Sequence, residues 1–228
     1  MSNLAPTLID RLATPAETGI DVAVLLPLLQ LLSAGEPVEV AALAAAADLA
    51  EDDLRQRLAA APETEYDAEG RILGLGLTLR PTAHRFTLAG QELYIWCAFD
   101  TLLFPPLLDR VAHVESTSPV GHVPVRAEVG PSGVVSVEPS TAVVSFVNPD
   151  DMTSIRSSFC NQVNFFVSAE EARPWLTAHP EAEVVPVSEA FQLGLGLLAR
   201  HGIDDGVSSC STGVCDIDAS LSGESCCS

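Results

Sequence analysis

The chain contains no lysine and few other cations: 11 arginines stand against 31 aspartates and glutamates, a formal net charge of −20 over 228 residues. Surfaces that bind nucleic acid or anionic lipid need clustered positive charge, because they must neutralise phosphate. The shortage of cations therefore argues against both kinds of partner. An acidic, lysine-free composition suits a high-salt cytoplasm and a GC-rich genome alike, and it does not separate the two.

Long apolar runs are also missing. The two most hydrophobic stretches, Val22–Leu32 and residues 93–108, are shorter or more interrupted than the roughly 20 apolar residues that a membrane helix requires. The N-terminus lacks a basic region followed by an apolar one, so no signal peptide is predicted. We expect a cytoplasmic protein without a membrane partner, and its 47% hydrophobic content is ample for a core.

Cysteine is present in moderate number and is unevenly distributed. In a cytoplasmic protein, six cysteines indicate free thiols, metal ligands or catalysis rather than structural disulfides. Cys97 and Cys160 lie in the body of the chain. The other four crowd the C-terminus: Cys210, Cys215, Cys226 and Cys227.

Hydrophobic periodicity predicts an α+β fold with two parts. Residues 1–80 predict short helices followed by a hairpin over 64–79, which together make a helical, winged-helix-like module. Residues 81–200 predict a catalytic domain, a mostly antiparallel sheet with flanking helices, the last of which covers 187–200. Residues 201–228 are rich in Ser, Gly and Asp, and they predict a disordered, acidic, cysteine-containing tail.

Two functions fit a winged-helix-like module: DNA binding, or service as a packing unit and substrate lid. Up to Gly90 the chain has six arginines against thirteen acidic residues. Arg55 and Arg57 are the only cations of the second and third predicted helices. Recognition helices without a cationic face bind phosphate poorly, so we expect no nucleic-acid partner.

The stretch 92–106, ELYIWCAFDTLLFPP, carries the strongest chemical signal. It predicts one apolar helix ended by two prolines, with Cys97 and Asp100 on the same face because they are three residues apart. A carboxyl group beside a thiol in an apolar segment is costly unless a function needs it. Cys160 stands at the start of a predicted buried strand over 159–167. Two thiols and one carboxyl offer a proton carrier and ligands for soft metals such as copper(I) or mercury(II).

Zinc binding and hydrolysis are the rival interpretations. Structural zinc needs four ligands, commonly in C-x₂-C pairs, and neither body cysteine has such a partner. A Cys–His hydrolase stays open as an alternative, because its pairing would be spatial, but no family signature supports it. The histidines are scattered without paired metal spacing: His84, His113, His122, His179 and His201.

Four stretches together resemble the organomercurial lyase (alkylmercury lyase) family, over about residues 24–200. They are TEYDAEGRILGLGLTLR, ELYIWCAFDTLLFP, SIRSSFCNQVNFF and SEAFQLGLGL. The resemblance implies protonolysis of the carbon–mercury bond, giving a hydrocarbon and mercury(II), in mercury detoxification. It implies that Cys97 and Cys160 are catalytic and bind mercury, that Asp100 binds mercury and carries the proton, and that Trp96 shapes the pocket.

The resemblance also implies which partners to expect. The substrate would be an alkyl- or arylmercury compound, no organic cofactor would be needed, and external low-molecular-weight thiols and a mercuric reductase would take the product. Two departures from the family pattern occur where members carry further cysteines: residues 116–118 read Ser-Thr-Ser, and Asn161 follows Cys160. The alternative function is a thiol-based mercury sensor or binding protein without turnover.

The four C-terminal cysteines lead to a separate hypothesis. The vicinal pair Cys226–Cys227 resembles the mercury-delivering tail of mercuric reductase, and Cys210 and Cys215 lie on the same segment. We predict a possible mercury relay that takes mercury(II) from Cys97 and Cys160, or captures the substrate. Tethering would give these thiols an effective concentration on the order of millimolar. The alternative is that the tail cysteines are incidental.

Overall fold

Helices make up the first part of the chain. The structure is a computed structural model, and it describes residues 4–61 and 63–203. The Asp21 carboxylate caps one of these helices by accepting a hydrogen bond from the backbone N–H of Ala23 at 2.9 Å. The helices are α1 (Leu4–Leu12), α2 (Pro15–Thr18), α3 (Val22–Leu32), α4 (Val40–Ala46) and α5 (Glu51–Ala59).

The strands form two sheets, and their pairs are antiparallel, so the predicted α+β fold class is confirmed. The larger sheet has the order β1-β2-β3-β5-β4-β6-β7-β8, and the smaller one β10-β9-β11. The strands of the larger sheet are β1 (Glu65–Tyr66), β2 (Ile72–Leu75), β3 (Leu77–Thr78), β4 (His84–Leu88), β5 (Gln91–Ile95), β6 (Ala112–Thr117), β7 (Pro124–Gly130) and β8 (Gly133–Glu138). Those of the smaller sheet are β9 (Val143–Phe146), β10 (Phe165–Phe166) and β11 (Glu183–Pro186).

The remaining helices follow the larger sheet's first strands in the chain. Helix α6 lies against both α3 and α9, and Gly194 permits the close approach because a Cβ there would meet Leu103 Cδ2 at 3.4 Å. These helices are α6 (Ala98–Leu108), α7 (Ile155–Ser158), a 3₁₀ turn (Cys160–Gln162), α8 (Arg173–Ala178) and α9 (Val187–Arg200). Among the helices of the described residues, none has the length and apolar character of a membrane span.

The larger of two hydrophobic clusters in the described residues runs through both halves of the chain. Leu28 and Leu43 of the helical module belong to the same buried cluster as Phe99 and Phe146. The hairpin of the module also continues into the larger sheet, since Leu77 of β3 pairs with Ile95 of β5. The domain boundaries at residues 80 and 200 remain a prediction. The residues before and after position 80 share one sheet and one core.

The prediction of a single helix over 92–106 is wrong. Residues up to Ile95 form β5, whose core-facing side chains Leu93 and Ile95 alternate with more exposed ones. This period of two is typical of a strand, and the apolar composition of the segment concealed it. The helix proper, α6, begins after Cys97 and contains both prolines, Pro105 and Pro106, in its last turns. Neither proline has an N–H, so the helix lacks the hydrogen bonds that these positions would otherwise donate to the carbonyls of Thr101 and Leu102.

The predicted strand over 159–167 is also wrong in its first half. The chain there makes the 3₁₀ turn and only then the short strand β10. Polar Ser145 explains the turn, because its hydroxyl donates to the Gln162 carbonyl at 2.8 Å and accepts from the Asn164 N–H at 2.9 Å. The tail predicted to be disordered lies outside the described residues from position 204 onward.

Candidate active site

Cys97 occupies the junction between β5 and α6. Its backbone is extended, with φ −145° and ψ 164°, and its sulfur accepts a hydrogen bond from the Asp100 N–H at 3.4 Å, so Cys97 is the N-cap of α6. The backbone N–H of the preceding residue, Trp96, donates to the Gly76 carbonyl at 2.9 Å. A sulfur at a helix N-terminus lies where negative charge is favoured, which suits a thiolate.

Asp100 lies in the first turn of α6, one turn beyond Cys97. Its side chain is partly exposed, whereas Phe99 and Thr101 on either side are buried. Gly76 approaches this carboxyl closely: a Cβ at Gly76 would lie 3.8 Å from Asp100 Oδ2 and 2.8 Å from Phe104 Cζ. The turn between β2 and β3 therefore forms one wall beside Asp100.

Cys160 opens the 3₁₀ turn that follows α7. The two cysteine-bearing segments are joined directly, because the Ala98 N–H donates to the Val163 carbonyl at 3.0 Å. Both Cys97 and Cys160 are free thiols.

Three predicted residues, 63 positions apart at the extremes, meet in space. The sulfurs of Cys97 and Cys160 and a carboxylate oxygen of Asp100 all lie within 4.8 Å of one another. Within residues 4–61 and 63–203 this is the only cluster of three or more Cys, His, Asp or Glu side chains that could hold a metal ion. Three such groups can ligate one soft metal ion, and the described part of the chain offers no four-ligand zinc site.

Burial governs the protonation of the cluster. It raises the pKa of Asp100 to about 6, although the hydrogen bond with Cys97 opposes the shift. Burial, the hydrogen bond with Cys160 and the nearby Asp100 charge raise the pKa of Cys97 well above its usual range. The hydrogen bond with Cys97 lowers the pKa of Cys160, but burial and the charges of Asp100 and Glu63 outweigh it, so this pKa is raised too. Both thiols are therefore protonated at neutral pH, and Asp100 can take either form.

An apolar pocket leads to the cluster. Asp100 and Cys160 line it, whereas Cys97 is fully buried behind them. Helices from both ends of the chain supply its leucine-rich wall, and Trp96 contributes an aromatic surface. Members of this wall include Leu12, Leu25, Leu103, Leu107, Leu197 and Ile203.

Sequence reasoning missed Arg156. The Arg156 guanidinium lies over the Trp96 ring, with its carbon 4.5 Å from the ring centroid. A signal was available, because Arg156 is the only basic residue between 127 and 172 and stands four positions before Cys160.

None of the histidines that the structure describes belongs to the cluster of Cys97, Asp100 and Cys160. His84 is buried against Ser116, with Nδ1 2.9 Å from the hydroxyl, and burial lowers its pKa to about 4, so it is a neutral core residue. His201 lines the pocket at the end of α9. The cysteines of the predicted relay, Cys210, Cys215, Cys226 and Cys227, lie outside the described residues.

Known proteins resemble this chain over most of its length. The family model for alkylmercury lyase matches residues 77–198, and the model for the helix-turn-helix domain of alkylmercury lyase matches residues 3–76. The alkylmercury lyase of Streptomyces lividans is 55% identical over 168 residues, covering 74% of this chain and 78% of that protein. The enzyme of Staphylococcus epidermidis is 50% identical over 175 residues, 77% of this chain and 81% of that one.

A solved structure shares the fold. The crystal structure of the mercury-bound form of MerB2 superposes with a TM-score of 0.71 at 21% identity, covering 87% of this chain and 99% of that chain. The family models define a lyase that acts on organomercury compounds. The chain belongs to the alkylmercury lyase family, and it is an enzyme that cleaves the carbon–mercury bond. The predicted family and activity are thus confirmed, and the alternative of a mercury sensor without turnover is not favoured.

Proposed function

We propose that Cys97, Cys160 and Asp100 carry out the protonolysis of an alkyl- or arylmercury substrate, releasing a hydrocarbon and mercury(II). The observation that carries this proposal is the close cluster of two sulfurs and one carboxylate oxygen within 4.8 Å, at the end of an apolar pocket. An apolar pocket suits the organic group, and two thiolates suit the soft metal.

The thiols act first, as ligands. One cysteine displaces the leaving ligand of the substrate mercury, usually a thiolate, which departs with the cysteine proton. The second cysteine gives its proton to the Asp100 carboxylate and joins the same mercury. Two thiolates on one mercury push electron density toward the carbon, which is a poor leaving group until it is protonated.

Asp100 then acts as the general acid. Its proton goes to the carbon, the electron pair of the carbon–mercury bond forms the new carbon–hydrogen bond, and the hydrocarbon leaves. Mercury(II) stays on the two thiolates, so protons and electrons balance over the cycle. A pKa of about 6 suits this role, because both forms of the carboxyl are accessible near neutral pH.

Product removal requires further thiols. We propose that low-molecular-weight thiols take mercury(II) from Cys97 and Cys160 and pass it to a mercuric reductase, with no organic cofactor in the lyase itself. The C-terminal cysteines offer a second route, since His201 and Ile203 line the pocket and the tail continues from there. Deletion of residues 205–228 should slow mercury release measured without added thiol, and unchanged release would refute the relay.

The helix-turn-helix module serves the pocket in this proposal. Leu12, Ile20 and Leu25 line the cavity, and the acidic balance of the first ninety residues disfavours DNA binding. The module would act as the wall and lid against which the organic group packs. A gel-shift assay with DNA should show no retardation.

One experiment tests the catalytic assignment. Incubation of the protein with phenylmercury and excess thiol should yield benzene, and Cys97→Ser or Cys160→Ser should reduce this yield by several orders of magnitude. Benzene formation by either variant at the parental rate would contradict the role given to that cysteine. Circular dichroism of each variant shows whether the fold is retained.

A further inference from the structure

Two glutamates of the N-terminal module contact the segment that carries Cys160. Glu63 and Glu65 lie at the entry to the hairpin, in the sequence E63-T64-E65, far from Cys160 in the chain. Their partners belong to α7, the four-residue helix that ends at Ser158. Only Phe159 separates α7 from Cys160.

Glu63 binds the backbone of α7. Its two carboxylate oxygens accept hydrogen bonds from the N–H groups of Arg156 and Ser157, the latter at 3.2 Å. N–H groups in the first turn of a helix have no partner inside the helix, so an acceptor from elsewhere must satisfy them. Ser154, the N-cap residue, makes no such side-chain bond. A residue of the N-terminal module thus does the capping.

Glu65 binds the side chain that α7 projects. Only 6% of its side chain is exposed, and it forms an ion pair with the Arg156 guanidinium. Its other oxygen accepts a hydrogen bond from the Thr78 hydroxyl at 2.5 Å. Because both oxygens of this buried carboxylate have hydrogen-bond partners, the orientation of the Glu65 side chain is fixed. The charge-assisted bond to Arg156 is the stronger of the two kinds of contact.

Arg156 extends this contact to the other cysteine. Its guanidinium lies 4.5 Å from the centroid of the Trp96 ring, and Trp96 directly precedes Cys97. The ion pair and the ring contact thus place one arginine between the N-terminal module and both cysteine-bearing segments.

A contribution to stability alone does not explain this arrangement. Buried ion pairs often contribute little net stability, because removing two charges from water offsets their attraction. A better explanation is that these contacts fix the orientation of α7 and of the 3₁₀ turn that follows it. Both elements are too short to fix their orientation through internal hydrogen bonds.

We infer that Glu63 and Glu65 are positioning residues of the lyase, which act through α7 and Arg156 to hold the Cys160 sulfur beside Cys97 and Asp100. This inference rests on the proposed role of Cys160. It gives the N-terminal module a direct part in the reaction, besides its contribution to the pocket wall.

The test compares Glu65→Gln and Glu63→Gln with Glu36→Gln, a control at an exposed glutamate of the same module. Steady-state turnover of phenylmercury with excess thiol should show kcat reduced by about 10- to 100-fold in Glu65→Gln, because a displacement near 1 Å can cost about 10²-fold. The KM should change less than about twofold, because the apolar wall that binds the organic group is intact. Glu36→Gln should behave as the parent.

A double-mutant cycle separates positioning from general destabilisation. If Glu65 acts through Arg156, the double variant Glu65→Gln/Arg156→Gln should be no slower than the slower single variant, since both single substitutions remove the same ion pair. Effects on kcat that multiply would overturn the inference. Arg156→Lys keeps the charge but loses the planar fork, and it should recover only part of the activity lost in Arg156→Gln.

The outcomes distinguish this inference from the proposed function. Parental kcat in a folded Glu65→Gln and a folded Glu63→Gln, with Cys160→Ser inactive, would refute the positioning role and leave the catalytic assignment intact. Parental activity in Cys160→Ser would refute both. Urea unfolding reports whether Glu65→Gln folds. If it does not, Glu63→Gln decides the test, because Glu63 is partly exposed and the substitution replaces only one of the two oxygens that accept from the α7 backbone.

Discussion

The two segments that supply the cysteines are built in opposite ways. Cys97 lies between a five-residue strand and an eleven-residue helix, both of which have regular backbone hydrogen bonds. Cys160 lies on a 3₁₀ turn between a four-residue helix and a two-residue strand. The first segment is held by its own secondary structure, and the second by tertiary contacts from Glu63, Glu65 and Ser145.

This difference separates the roles within the site. The Cys97 segment also carries Asp100 one helical turn away, so the thiol and the proton carrier share one rigid frame. The Cys160 segment brings the second ligand from outside that frame and faces the pocket. Its position depends on contacts from a distant part of the chain.

The largest loss of activity is expected from a substitution in the Cys97 segment, at Asp100. Asp100→Asn keeps the shape of the side chain but removes the proton carrier, so product formation should fall by about 10²- to 10⁴-fold, the usual contribution of general acid–base catalysis. Mercury should still bind to both thiols. Gas chromatography of benzene from phenylmercury measures turnover, and a parental rate would contradict the role of Asp100.

The same substitution has a predictable effect on stability. Because the folded-state pKa of Asp100 is raised from 3.8 to about 6, its contribution to stability is present below pH 4 and is lost as the pH rises through 6. Asp100→Asn should therefore be more stable than the parent at pH 7, by up to about 3 kcal/mol, less where solvent reaches the carboxyl. Urea unfolding at pH 4 and pH 7 checks the sign, and an equal difference at both pH values would contradict it.

Alkylation compares the two thiols directly. Cys160 lines the pocket, whereas Cys97 is 0% exposed and its pKa is raised well above the usual range. Iodoacetamide should modify Cys160 roughly an order of magnitude faster than Cys97, since reactivity follows access and thiolate content. Peptide mass spectrometry over a time course resolves the two sites. Equal rates would contradict the expected difference in access between Cys97 and Cys160.

A smaller effect tests the packing around α6. Gly76 and Gly70 both have a positive φ, +77° and +83°, but a Cβ at Gly76 would lie 2.8 Å from Phe104 Cζ, and a Cβ at Gly70 would contact nothing within 4 Å. Both alanine variants lose about 1–2 kcal/mol to the left-handed backbone. Gly76→Ala should lose about 1–3 kcal/mol more through overpacking, as measured by urea unfolding. Equal losses would mean that the wall beside Asp100 yields easily.

Local pattern predicted the elements in which local forces dominate. Helix α9 begins and ends at the predicted residues, because its apolar residues recur with the helical period. The prediction failed where an apolar run was assigned to one element, as with β5 and α6. Such a run is buried in either conformation, so composition does not decide between strand and helix.

The residues of the candidate site were named from sequence, but their geometry was not. The spacing of Cys97 and Asp100 follows from one helical turn, which is a local property. Nothing local brings Cys160 to them across 63 residues, and the pairing came from the resemblance to a family. The parts played by Arg156, Glu63 and Glu65 depend on contacts between residues about 90 positions apart, which no local pattern contains.

The amino-acid sequence by itself determined the chemical groups of this protein: two thiols in the body of the chain, one carboxyl in an apolar segment, and an acidic composition without lysine. Tertiary structure alone decided that the three groups lie within 4.8 Å of one another and that a pocket reaches Asp100 and Cys160 but leaves Cys97 behind them. It also decided that Glu63 and Glu65 contact the short helix before the second cysteine. The physical reason is that each residue fixes its own chemical group. The distances between such groups, and their burial, are set only when distant segments of the chain pack into one core.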